Sequence, residues 1–189
     1  MKPLVLASVL TVLVFASGAS ALEVSDITVA DSVTVHSSKL ILNGAGLRKV
    51  GFVITAKIYV AALYLERKMN DTIEIMADAG PKRLEFIFMR DLMVKEVKEA
   101  WTFQFNESVS EKYPELQTDL AQLLTFMESI KEGDKYSFEI EDDVTRFYLN
   151  QTLKGQIKGH DFQKAFLSIW IGKKPAQDSL KEALLGQDS

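Results

Sequence analysis

The chain has 189 residues, 47% hydrophobic and 25% charged, with 22 Lys and Arg against 26 Asp and Glu. A formal charge of −4 with no basic stripe gives no electrostatic case for nucleic acid. The absence of Cys excludes disulfides, thiol catalysis and thiolate metal sites.

The N-terminus carries a compartment signal. Met1 and Lys2 give a positive start, Leu4 to Phe15 is almost wholly apolar, and Ala19-Ser20-Ala21 supplies small residues where a signal peptidase reads. The apolar run is short for a bilayer span. The expectation is a signal peptide over 1–21, cleaved after Ala21, and an exported, periplasmic bacterial protein of one domain over 22–189. No Cys follows the small residues, which excludes a lipoprotein anchor at the cleavage site.

The stretch from Leu22 to Ala30 is short and mixed and reads as an edge strand. Lys39 to Leu42 is extended and ends at Asn43-Gly44-Ala45-Gly46, where the backbone can bend sharply or be approached closely. From Phe52 to Leu65 the chain is rich in β-formers. Lys57, Tyr59, Ala61, Leu63 and Leu65 share one face, and Ile58, Val60, Ala62 and Tyr64 the other. Both faces are largely apolar, which predicts a central strand covered on both sides. Asn70 to Ala79 reads as a short helix stopped by Gly80-Pro81. Arg83 to Arg90 alternates again.

Val94, Val97, Trp101 and Phe105 then recur at helical spacing, as do Leu116, Leu120, Leu123, Met127 and Ile130. Pro114 suits the first turn of that second helix and Gly133 its stop. Tyr136, Phe138 and Ile140 alternate with polar residues, and Val144 to Leu149 follows Asp142-Asp143, which predicts a hairpin. A strand at Gly155 to Ile157 extends the meander. His160 to Ile171 reads as a helix with Asp161 as its cap and Gly172 as its stop. A last helix runs from Gln177 to Leu185. Strands do not alternate regularly with helices, so the predicted class is α+β, an antiparallel sheet with helices on one face.

Three stretches resemble chalcone isomerase-like proteins when taken in order. Leu42-Asn43-Gly44-Ala45-Gly46-Leu47-Arg48 and Lys57 to Leu65 resemble the N-terminal block of that family, a Gly-Ala-Gly-x-Arg turn followed by a strand. Gly155-x-Ile157-x-Gly159-x-Asp161-Phe162, with Leu167 to Gly172 and Leu180 to Gly186, resembles the C-terminal block of its exported bacterial branch. The resemblance covers about Val33 to Gly186. It implies an open-faced β-sandwich, a large antiparallel sheet with a layer of helices on it.

The resemblance also frames the chemistry. Plant chalcone isomerases use an Arg, a Thr, a Tyr, an Asn and a hydroxyl residue to cyclise an enone, stabilising charge where the enolate develops. Arg48 is the one position that matches that set well. Tyr59 stands where Thr is needed. Asn106 aligns with the Asn only if Glu99 takes the place of the Tyr. Ile169 holds the hydroxyl position with Ser168 one residue off, and one residue on a helix turns a side chain about 100°. No catalytic set is therefore assigned. In the fatty-acid-binding branch of the fold an Arg and a Tyr in these regions hold the ligand carboxylate, and Arg48 and Tyr59 supply that pair. A guanidinium forks onto a carboxylate and a phenol adds a third donor. Phe86, Phe88, Trp101 and Phe105 would line the slot for an apolar tail.

The expected function is non-catalytic binding of a fatty acid or similar apolar anion through Arg48, Tyr59, Phe86, Phe88, Trp101, Phe105 and Asn106. No cofactor is expected, and no metal, because His36 and His160 sit in no ligand-spaced cluster. Two alternatives stand beside it. One is an intramolecular lyase of the chalcone isomerase type. The other is a scaffold without a ligand, in which Arg48 bridges Glu66 or Asp91 and Tyr59, Trp101 and Trp170 are simply core.

Overall fold

The computed structural model describes residues 21–51, 54–109 and 115–187. The expected signal segment before Ala21 and the expected first-turn Pro114 lie outside the described residues. Two short strands, β1 (Ala21–Val24) and β2 (Ile27–Ala30), come first. They pair with each other as a separate two-stranded sheet, not as the single edge strand that Leu22 to Ala30 suggested. Ser25 and Asp26, both at positive φ, close the tight two-residue turn that breaks the stretch in two.

Seven further strands form one antiparallel sheet in simple chain order. They are β3 (Ser32–Val35), β4 (Ser38–Val50), β5 (Ala56–Leu65), β6 (Lys82–Phe88), β7 (Lys135–Glu141), β8 (Val144–Leu149) and β9 (Thr152–Lys158). Each strand of this sheet pairs with the next strand in sequence, a meander order. Among the described residues five helices accompany it: α1 (Thr72–Ala77), α2 (Val94–Ser108), α3 (Glu115–Thr125), α4 (His160–Ile171) and α5 (Asp178–Leu184). Helix α1 is inserted between β5 and β6, and α2 and α3 between β6 and β7. The fold is thus α+β, a large antiparallel sheet with its helices on one side.

The strand β5 lies in the interior of the sheet and is buried on both faces. Tyr59, Ala61, Leu63 and Leu65 face the large core beneath the helices. Val60, Ala62 and Tyr64 face a smaller cluster with Val29, Val35, Leu40 and Leu42, so the β1–β2 hairpin covers that side. The alternation of two apolar sets along one strand is what demands cover on both faces.

Three local expectations are overturned. The Gly-Ala-Gly stretch is no turn: β4 runs straight through it, with a register shift between Leu42 and Gly44. Its glycines serve close approach, because a Cβ on Gly44 would collide with the Ala183 carbonyl and one on Gly46 would stand 2.6 Å from the Ala183 methyl. Helix α5 therefore packs directly onto bare β4 backbone. Second, Gly133 does not stop α3, which ends at Thr125. Met127 and Ile130 are buried as their spacing predicts, but Ile130 exchanges backbone hydrogen bonds with Leu92 at 2.8 and 3.0 Å. That bridge holds the segment extended, and Gly133, at φ 89°, turns it into β7. Third, Asp161 is not the cap of α4. Gly159 occupies that place at φ 122°, tied to the hairpin turn by its N–H on the Asp143 carbonyl at 2.7 Å. Asp161 sits in the first turn, where a carboxylate favours the helix dipole.

Candidate functional site

The antiparallel register of β4 and β5 sets Arg48 directly opposite Tyr59. Cross-strand partners share a face, so the Arg48 side chain lies on the helix side with the Tyr59 ring. Helix α5, admitted by the two glycines, brings Gln177 to the same place. The Gln177 Oε1 accepts from Arg48 Nη1 at 3.2 Å and from the Lys49 N–H at 2.9 Å. Its Nε2 donates to the Leu47 carbonyl at 3.1 Å. Arg48 Nη1 also donates to the Lys49 carbonyl at 2.8 Å. One amide thus staples the start of α5 to β4 and holds the guanidinium in place.

Tyr59 is buried. Its ring meets the edges of Phe86 and Phe88, with centroids 5.0 and 5.7 Å away. Its hydroxyl accepts a hydrogen bond from the Trp170 indole N–H at 3.0 Å. Burial pushes the phenol above its usual value, while the Trp170 hydrogen bond and the Arg48 charge pull the other way. The phenol stays protonated at neutral pH. Because Trp170 already occupies it as a donor, its own O–H remains for an acceptor.

Arg48 is half-buried. Among the described residues no carboxylate lies within ion-pair distance of it. The acids named as structural partners are engaged elsewhere. Asp91 pairs with Lys131 at 2.6 Å, and Glu66 acts on Lys82.

The expected apolar lining is where the sequence placed it, but it is packed full. Phe86, Phe88, Trp101 and Phe105 are all buried in the large core. Phe86 touches Trp101 at 5.7 Å and Trp170 at 4.8 Å between centroids, and Trp101 touches Trp170 at 5.4 Å. Phe105 stacks on Phe162 at 6.4 Å. These rings occupy the space between sheet and helices themselves. Asn106 is not brought to the group: it is exposed and accepts from Gln117 Nε2 at 3.0 Å.

The remaining positions of the isomerase set offer no converging donors. Glu99 is exposed and pairs with Lys95 at 3.8 Å. Ile169 is buried in the core. The Ser168 hydroxyl donates to the Ala165 carbonyl of its own helix at 2.6 Å.

Sequence reasoning missed two members of the Arg48 cluster. Trp170 read as core, which it is, yet a buried indole N–H needs an acceptor and finds it in Tyr59. Gln177 read only as a helix start, and nothing local to it signals a partner more than a hundred residues away. A cleft of about 680 Å³ was also missed. It opens beyond the far end of the sheet, between the loop after α1, the β7–β8 turn and the start of α4, and none of the expected site residues lines it. Buried Lys82 sits there, donating to the Asp78 and Gly80 carbonyls at 2.6 and 2.9 Å.

Comparison with known proteins agrees with this architecture. No curated protein matches the chain. Among solved structures it is similar to a fatty-acid binding protein from Arabidopsis thaliana, with a TM-score of 0.70 and 15% sequence identity over 85% of this chain and 92% of the other. A likeness at that identity speaks for the fold alone. The family model described as chalcone isomerase-like matches residues 21–186. With the match spanning nearly every described residue, this chain belongs to the chalcone isomerase-like family.

Proposed function

We propose that this protein binds a fatty acid or a similar apolar anion without catalysing a reaction on it, and that Arg48 and Tyr59 hold the anionic end. The observation that carries the reading is the convergence of two donors. A guanidinium with no described carboxylate partner faces a protonated phenol whose acceptor role is already taken by Trp170. Such a pair suits a carboxylate, which accepts from both. The fatty-acid binding of the Arabidopsis protein supports the same class of ligand. The exposed Glu99 and the self-satisfied Ser168 favour binding over enone cyclisation.

The packed rings add a condition. An alkyl tail gains about 0.8 kcal/mol per buried methylene, but only where it can displace or part the side chains already there. The tail therefore enters by separating α2 and α4 from the sheet at Phe86, Trp101 and Trp170.

The decisive measurement is mass spectrometry of organic extracts from the purified protein, followed by titration of the delipidated protein with a long-chain fatty acid. Arg48→Ala is expected to lower affinity at least tenfold while thermal stability changes little. The side chain is half-buried and its hydrogen bonds go to the Gln177 amide and the Lys49 carbonyl, with no carboxylate partner among the described residues. Undiminished fatty-acid binding by the variant would remove Arg48 from the site. A clean extract together with no binding by the wild type would leave a scaffold.

A further inference from the structure

The β4–β5 hairpin extends past its neighbours in the sheet. Strand β3 pairs with β4 only at Ser38–Ile41. On the other side β6 last pairs with β5 at Tyr59, after which Met89 donates once more to the Ile58 carbonyl at 2.9 Å. Lys49, Val50, Ala56 and Lys57 therefore form a two-stranded ribbon beyond the sheet body.

This ribbon breaks two rules of a solvated hairpin end. Two large apolar side chains stand exposed at its end: Val50 is 50% exposed and Ile54 is 88% exposed. Turn positions normally carry polar residues, yet the sequence between the two strands, Gly51-Phe52-Val53-Ile54-Thr55, has a single polar side chain, that of Thr55. Just behind the apex, Lys49 and Lys57 stand directly opposite each other, both exposed. Like charges in that relation are destabilising. Among the described residues no carboxylate lies within ion-pair distance of either. The chain keeps both features at one point although its overall charge is −4.

We propose that the β4–β5 tip docks on the surface of an anionic lipid bilayer. Val50 and Ile54 enter the boundary between headgroups and acyl chains, and the pair Lys49 and Lys57 meets the headgroup charge. A projecting ribbon of this size fits a bilayer better than a protein partner, because a stable protein interface needs roughly 1,000 Å² of complementary surface. No helix of the described residues is long and apolar enough to cross a membrane; the proposed contact is made by the tip. The tip begins one residue beyond Arg48, which would place the proposed anion site at the membrane surface. The docking itself does not require that site to be occupied.

The absence of Cys in the chain allows one label at one chosen position. A polarity-sensitive fluorophore on Ile54→Cys is titrated with vesicles of phosphatidylcholine, with and without phosphatidylglycerol. The same dye on Ile73→Cys is the control, since Ile73 is 77% exposed on α1 near the opposite end of β5. The Ile54 label is expected to shift to the blue with anionic vesicles while the Ile73 label does not. Replacing Lys49 and Lys57 by Gln in the labelled protein should weaken the response roughly 25-fold, about fivefold per lysine, and added salt should weaken it too. No shift at position 54, an equal shift at both positions, or no effect of the lysine replacement would overturn the proposal. So would a shift at position 54 that grows with protein concentration without vesicles, which would mark a protein contact. Fatty-acid titration of the same labelled proteins reports the anion site separately, so either idea can fail alone.

Discussion

The two faces of the central sheet are both buried, by opposite means. On the helix side Tyr59, Phe86, Phe88, Tyr136 and Phe138 meet Trp101, Phe166 and Trp170 in a continuous set of ring contacts. On the other side the same strands carry a ladder of polar groups. Tyr64, Arg83, Glu139 and Arg146 stand opposite one another across β5, β6, β7 and β8. Arg83 bonds Glu139 at 2.9 Å and Glu85 at 2.8 Å, and Ser137 joins at 3.0 Å. One face gains from apolar area, where each ring adds stability roughly in proportion to what it buries. The other gains little net energy from its charges but loses heavily if one is removed alone. The proposed anion site uses the first face at its rim, where Arg48 meets water and Tyr59 meets the rings.

The largest expected effect is on the aromatic face. Phe86 is fully buried and touches four other rings. Phe86→Ala should cost about 3–5 kcal/mol in chemical denaturation, or roughly 10 °C in melting temperature for a chain of this length. A loss under 1 kcal/mol would mean the rings are loosely packed and the interior is already open to a ligand.

The charged face should respond next. Arg83→Met leaves Glu85 and Glu139, each about nine-tenths buried, without their shared cation. The expected loss is about 3 kcal/mol. Adding Glu85→Gln and Glu139→Gln should restore much of it by removing the uncompensated charge. If the triple variant is no better than the single one, packing rather than charge holds this face, and the contrast between the faces fails.

Much of the first face was legible in sequence. The alternation along β5 assigns Tyr59, Ala61, Leu63 and Leu65 to one side and Val60, Ala62 and Tyr64 to the other, as observed. It fails only at Ile58, which packs against the helix-side core. The stripes Val97-Trp101-Phe105 and Leu116-Leu120-Leu123 mark the buried sides of α2 and α3. Those signals are local periodicities, and periodicity survives in sequence. The ladder was not legible. Arg83 finds Glu139 only through the pairing of β6 with β7, across 56 positions and the helices α2 and α3, and no local pattern fixes that register. The Arg48 cluster is mixed in the same way. Arg48 and Tyr59 were found because a family motif carries them. Gln177 and the Trp170 hydrogen bond depend on how α4 and α5 settle on the sheet. Asn106 failed because alignment along a helix says which residue fills a slot but not whether that slot faces inward.

The finest test of the contrast uses two tyrosines on one strand. Tyr59 and Tyr64 lie on opposite faces of β5, both buried. The Tyr59 hydroxyl accepts from Trp170, whereas the Tyr64 hydroxyl has no hydrogen-bond partner among the described residues. Tyr59→Phe strands the Trp170 N–H and should cost about 1–2 kcal/mol. Tyr64→Phe removes an unsatisfied group and should be neutral or stabilising by up to about 1 kcal/mol. Alkaline pH separates them further. Burial raises both phenols above the usual 10.0, so the unfolded chain gives up these protons first. Stability is then fully present below pH 10 and falls as pH rises toward the folded values. Each Phe variant escapes its own share of that fall, so the advantage of Tyr64→Phe should widen above pH 10 while the deficit of Tyr59→Phe should narrow. Equal deficits at neutral pH would show that the Tyr64 hydroxyl is satisfied after all, by water held in the polar ladder.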